Sequence, residues 1–99
     1  METENARIES THLGFENHGI FSLNVNFAGP GWGQGTGHYF ADKGTSELIK
    51  GIIGAVGVTK WEDLPNQYCR VKRNGHLDRI RAIGNLLEDR WFELPSEEK

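Results

Sequence analysis

Five glycines fall at alternate positions within nine residues, at Gly29, Gly31, Gly33, Gly35 and Gly37. The stretch reads Gly29-Pro-Gly-Trp-Gly-Gln-Gly-Thr-Gly37. If it runs extended, successive residues project to opposite sides. One side is then bare backbone, and the other carries Pro30, Trp32, Gln34, Thr36 and, continuing, His38. A bare side admits a flat group, another backbone or a phosphate at close range. Folded as a loop, the same amides could line an anion nest. No Gly-Lys-Ser/Thr follows, so it is no Walker A loop, and no helix begins directly after it, so it is no dinucleotide-binding fingerprint. A flexible connection is the plain alternative. A lone indole at Trp32 is an odd residue to expose in a mere connector. The expectation is therefore a functional edge or loop, with Trp32, Gly33, Gln34, Gly35 and Tyr39 in the contact surface.

The rest of the chain alternates strand signals with one helix. Residues 1–5 read as a loose tail. Residues 7–15 suit a strand with imperfect alternation, and Glu16-Asn-His-Gly19 is a turn signal. Phe21, Leu23, Val25 and Phe27 share one parity while Ser22, Asn24 and Asn26 share the other, a half-buried strand. Residues 7–27 are thus a predicted β-hairpin. Residues 38–41 suit a short strand, and 42–44 a turn. From Thr45 or Ser46 as cap, Leu48, Ile49, Ile52, Ile53, Ala55 and Val56 fill one arc of a helical wheel, and Gly57 stops the helix. Gly51 and Gly54 leave a flat strip on the other arc. They are either weak positions that the helix tolerates or a place where a backbone or second subunit approaches, so a homo-oligomer stays open. Thr59-Lys-Trp-Glu62 has capping-box spacing before a short turn ended by Pro65.

Asn74-Gly75 between two β-like runs is a strong hairpin signal. A two-residue turn pairs Arg70 with Arg79 and Tyr68 with Arg81, and places Tyr68, Arg70, Lys72, Arg79 and Arg81 on one side of the ribbon. Residues 67–81 hold five basic side chains against one acid, Asp78. Like charges directly opposite are unfavourable, so this side calls for an acidic partner, a phosphate, or neutralising carboxylates such as Glu88, Asp89 or Glu93. A solvated basic face is the plain alternative. Gly84 suggests a bend, 86–92 a last turn and short strand, and 95–99 a polar tail.

A chain of 99 residues makes one domain with one core. No apolar run approaches the ~18 residues of a membrane span. One cysteine, Cys69, rules out an internal disulfide, and the acidic start lacks the features of a signal peptide. Both point to the cytoplasm. Cys69 falls on the apolar parity of its strand, which predicts a buried, inert thiol. The net charge of −3 argues against tight generic nucleic-acid binding. His12, His18, His38 and His76 have no metal-ligand spacing with one another or with Cys69. No nucleophile is paired with a base, so no catalytic residue, cofactor or metal is expected. The fold class expected is α+β: a single small domain with a bent antiparallel sheet packed against one amphipathic helix.

Four segments carry a family resemblance: Arg7-Ile-Glu-Ser-Thr-His-Leu-Gly-Phe-Glu-Asn-His-Gly19, Gly31-Trp-Gly-Gln-Gly-Thr-Gly-His-Tyr39, Val56-Gly-Val-Thr-Lys-Trp-Glu-Asp-Leu64 and Ala82-Ile-Gly-Asn-Leu-Leu-Glu-Asp-Arg-Trp-Phe92. Together they resemble a group of small proteins encoded by tailed phages and prophages. The chain departs from the group in having His38 in place of a further glycine and a short link before the helix. The resemblance implies a phage accessory protein in a bacterial host cell, of the kind that blocks an antiviral system such as a CRISPR effector. The leading expectation is an anti-CRISPR-like inhibitor, not an enzyme, that binds a host defence protein stoichiometrically through Trp32, Gln34 and Tyr39 and through Arg70, Lys72, Arg79 and Arg81. One alternative is a sponge that sequesters a nucleotide signal. Another is a small nucleic-acid-binding module.

Overall fold

The computed structural model describes residues 1–37, 39–40 and 44–95, with Tyr39 and Phe40 described by their place in the sheet alone. In chain order the elements are β1 (Glu2–Phe15), β2 (Phe21–Gly29), β3 (Trp32–Gly35), β4 (Tyr39–Phe40), α1 (Thr45–Val56), a 3-10 turn (Trp61–Asp63), β5 (Tyr68–Arg73), β6 (Ala82–Gly84) and β7 (Trp91–Glu93). One antiparallel sheet runs β3-β2-β1-β5-β6-β7, and β4 pairs with β2.

The expected first hairpin forms, with Phe15 opposite Phe21 and Leu13 opposite Leu23. Its imperfect alternation has a cause. The register shifts between Ile8 and Ser10, so Glu9 is an extra residue in β1. Such a bulge moves the inward parity by one. Ala6 and Ile8 are inward and buried before it, and Thr11, Leu13 and Phe15 take the same face after it. Leu23, Val25 and Phe27 supply the inward face of β2 and are fully buried. Leu48, Ile52, Ala55 and Val56 of α1 join them, with Val71, Ile80 and Ile83, in one apolar cluster. Gly57, at φ 99°, ends the helix by returning its N–H to the Ile53 carbonyl at 2.9 Å.

Four local expectations need correction, and the glycine stretch takes up part of each course left open to it. Residues 2–5 are not a loose tail: they pair with β5 from Glu2 opposite Arg73 to Asn5 opposite Arg70. Their polar composition suits a strand whose Glu4 is held by an ion pair to buried Arg73 (2.9 Å). The glycine stretch does not run extended throughout. Pro30 and Gly31 turn the chain, and Gly29 faces Trp32 across the ladder. A proline followed by a glycine at φ 77° is what a type II turn favours. The helix is entered through Gly44, not through a Thr45 or Ser46 side-chain cap, and the 3-10 turn has Lys60 rather than Thr59 at its N-cap, with no side-chain cap bond. Asn74-Gly75 is not a two-residue hairpin. β5 meets β6 with Lys72 opposite Ala82, Val71 opposite Ile83 and Arg70 opposite Gly84, leaving 74–81 as a loop. Arg70 therefore does not face Arg79, and the expected clash of like charges does not arise. His38, most of the turn at 42–44 and most of the tail at 95–99 lie outside the described residues.

Candidate functional site: a basic hollow beside Trp91

The loop at 74–81 is organised by one carboxylate. Asp78 accepts the Asn74 N–H at 2.7 Å, its neighbour Arg79 N–H at 2.9 Å, and both Nε (2.6 Å) and Nη2 (3.0 Å) of Arg81. The guanidinium of Arg81 and the N–H of Asn74 hold its carboxyl well below the ordinary 3.8, at about 2. Asp78 thus stays charged and keeps Arg81 in place. The result is a hollow of about 220 Å³ lined by Lys72, Arg79, Arg81, Trp91, Glu93 and neighbouring apolar groups.

Trp91 is the aromatic wall of this hollow. It lies across the ladder from Gly84, where a Cβ would stand 2.6 Å from indole atoms. Lys72 places its ammonium 4.1 Å from the ring centroid, and the Arg70 guanidinium lies at 5.0 Å. Both are cation–π distances. The indole Nε1 donates to Asp89 at 3.1 Å. Arg70 is further committed, giving Nε to the Asn85 carbonyl (2.7 Å) and Nη2 to the Glu88 carbonyl (2.9 Å). Arg79 makes one long contact, 3.4 Å, to the Ile80 carbonyl. Glu88 pairs with Arg90 at 3.1 Å rather than with Arg70. Among the expected basic residues, then, Lys72, Arg79 and Arg81 come together, while Arg70 stands over the indole as a structural cation.

The residues of the glycine segment occupy a different place. Trp32 is half-buried, with its indole over Gly29 and the Arg73 guanidinium 4.2 Å from its ring centroid. Gln34 donates to the Asp78 carbonyl at 2.9 Å and accepts from Arg73. Gly35 leaves room for the side chains of Asn24 and Asn26, whereas Gly33 meets nothing closer than 3.7 Å and nothing in the structure explains a glycine there. Tyr39 pairs with Leu23 through β4, and its side chain lies outside the described residues. At the centre of this group is Arg73, 1% exposed, held by Glu4, Gln34 and, at 3.3 Å, His76 Nδ1. The side-chain bond from Arg73 holds the Glu4 carboxyl below its usual range. Sequence reading passed over Arg73, although it shares the inward parity of Cys69 and Val71. Trp91 and Asp78 gave no comparable signal, because their roles depend on Gly84 and on a loop.

Cys69 is buried as expected, and desolvation pushes its thiol up to about 12. Among the described residues no cluster of His, Cys, Asp and Glu could hold a metal ion, and no helix is long and apolar enough to cross a membrane. A second hollow of about 390 Å³, lined by Arg7, Ala28, Pro30 and Tyr68 among others, gathers no like charges, and its Arg7 is held by Asn66 and Glu9. No protein-family model, curated protein or solved structure matches the chain.

Proposed function

We propose that this chain is a phage-encoded accessory protein that inhibits a bacterial antiviral defence system, such as a CRISPR effector, by stoichiometric, non-catalytic binding to a protein of that system in the host cytoplasm. The observation that carries the reading is the convergence of Lys72, Arg79 and Arg81 on one hollow whose lining holds a single carboxylate, Glu93. Arginine and lysine side chains gathered around one hollow favour an acidic group. At about 220 Å³ the hollow is smaller than the roughly 300–1,000 Å³ typical of small-molecule sites. It suits an acidic side chain from a protein better than a whole nucleotide. The sponge is less well supported for a second reason: Gly84 lies against the Trp91 ring, and Lys72 and Arg70 stand over it, which leaves a base little room to stack. The same reading keeps the expected bend of the sheet, since the bulge at Glu9 adds local twist. It assigns no catalytic step.

The test is phage plating on hosts carrying individual defence systems and expressing either wild-type protein or the double variant Lys72→Glu, Arg79→Glu. Wild-type protein should restore plating against at least one system, and the variant, at equal abundance and melting temperature, should not. Equal protection by both would remove the hollow from the mechanism. No protection across a broad panel would remove the function. Heat on titration with cyclic or linear nucleotides would favour the sponge.

A further inference from the structure

The outer half of the first hairpin carries an open strand edge next to exposed apolar side chains. Toward β5, β1 is occupied as far as Ile8, which gives its N–H to Gln67 (2.9 Å) and takes the Asn66 N–H (2.7 Å). From residue 9 to 15, among the described residues, β1 has a strand on the β2 side alone. Glu16 donates to the Ile20 carbonyl at 2.8 Å while Phe15 stands opposite Phe21. In an antiparallel ladder, directly bonded pairs alternate with unbonded ones. The even residues therefore bond to β2, and the N–H and C=O groups of Thr11, Leu13 and Phe15 point to the open side. The side chains of Leu13, Phe15 and Phe21 continue the core face outward and are 40%, 70% and 39% exposed. Phe15 and Phe21 meet edge to face at 5.0 Å. Residues 10–15 hold no Lys, Pro or carboxylate, the usual guards of an edge strand.

We propose that this edge pairs with the same edge of a second copy, antiparallel about a twofold axis at Leu13. The segment is complementary to itself in that register. Leu13 faces Leu13 of the second copy, and Thr11 faces Phe15, each as a directly bonded pair. The Leu13–Phe15–Phe21 strips of the two copies then lie side by side and shield each other from water. The acids that bracket the segment do not oppose: Glu16 falls opposite Ser10, and Glu9 opposite Asn17. A twofold contact of this kind uses one patch twice and closes on itself. The patch is small, so the dimer belongs near the lower end of specific interfaces, ~1,200 Å² in total. The basic hollow takes no part in it.

Sedimentation velocity from about 1 to about 100 µM, the micromolar range of a moderate affinity, should show the 11.1 kDa monomer give way to a species of twice the mass. Leu13→Lys puts like charges face to face at the axis and should leave a monomer throughout with an unchanged melting temperature. Directly bonded residues stand about 5.5 Å apart at Cα, within disulfide reach. Leu13→Cys should therefore cross-link under mild oxidation and separate on reduction, whereas Ser46→Cys, on the exposed face of α1, should not; Cys69 is buried and silent. A wild-type monomer over the whole range, a Leu13→Lys dimer, or cross-linking no faster at position 13 than at 46 would each overturn the proposal.

Discussion

Three glycines in this molecule exist for the rings that lie on them. The indole of Trp32 covers Gly29, the indole of Trp91 covers Gly84, and the ring of Phe92 covers Gly51. In the two sheet cases the partners face each other across an antiparallel ladder, where an aromatic side chain shields the bare backbone of a strand glycine. Cations then cover the indoles: Arg73 on Trp32, and Lys72 with Arg70 on Trp91. The helix offers an internal control, because nothing lies within 4 Å of where a Cβ on Gly54 would be. Gly54→Ala should raise stability by about 0.5–1 kcal/mol through helix propensity, a few degrees of melting temperature for a domain this size. Gly51→Ala gains the same propensity but drives a methyl into Phe92, and overpacking costs about 1–3 kcal/mol. It should melt lower than wild type. If the two alanines shift the melting point alike, Phe92 does not need the space. The wheel set both glycines on the polar arc, which holds for exposed Gly54 but not for half-buried Gly51, since the ring that covers Gly51 arrives from a strand some forty residues away.

At the level of elements, patterns of period two or 3.6 were legible where each element's own residues decide them. α1 and the apolar parity of β2 are of this kind: Ile52, Leu23 and Val25 are fully buried, as their spacing requires, whereas β2 is not the half-buried strand expected, because Ser22 and Asn24 of the other parity are buried as well. The loop at 74–81 is the counterexample. Asn74-Gly75 is a strong turn signal, yet Asp78 bonds to Asn74, Arg79 and Arg81, and residues 74–81 form a loop in place of a ladder. That bonding has a pH signature. Asp78 titrates at about 2 in the folded chain against an ordinary 3.8, and Glu4 is also lowered, by Arg73. A group with a depressed folded pKa stabilises above its unfolded value and loses that contribution as pH falls through the folded one. Stability should therefore be level above the ordinary carboxylate range and decline as pH drops from 3.8 toward about 2. Chemical denaturation at a series of pH values checks this. Asp78→Asn should be less stable than wild type at neutral pH and should show a shallower acid decline. An acid limb identical to that of wild type would mean that Asp78 contributes nothing to the loop.

Across the whole molecule, β1 is the seam. It joins the group β3-β2 to the group β5-β6-β7, using residues 7–15 for one and 2–7 for the other. Removing residues 1–5, harmless if they were a tail, should therefore lower the melting temperature substantially. It breaks the ladder to β5 and leaves Arg73 buried without Glu4, and a buried charge that loses its partner is destabilising. A Glu4→Gln variant should show part of the loss. An unchanged melting point in the truncated chain would show the seam to be unnecessary. What the chain determined by itself was the set of local choices: one amphipathic helix, the inward parity of β2, the glycine that stops the helix, the buried thiol. Each depends on residues within a turn or two of one another. Only the tertiary structure decided which strands are neighbours, that Arg73 is interior, that half-buried Trp32 lies over Gly29 beside Arg73, and that Lys72, Arg79, Arg81 and Trp91 line one hollow. Those outcomes rest on contacts between residues far apart in sequence. Their favourable energy appears only after the chain has closed the loops between them, so no local pattern carries their signature.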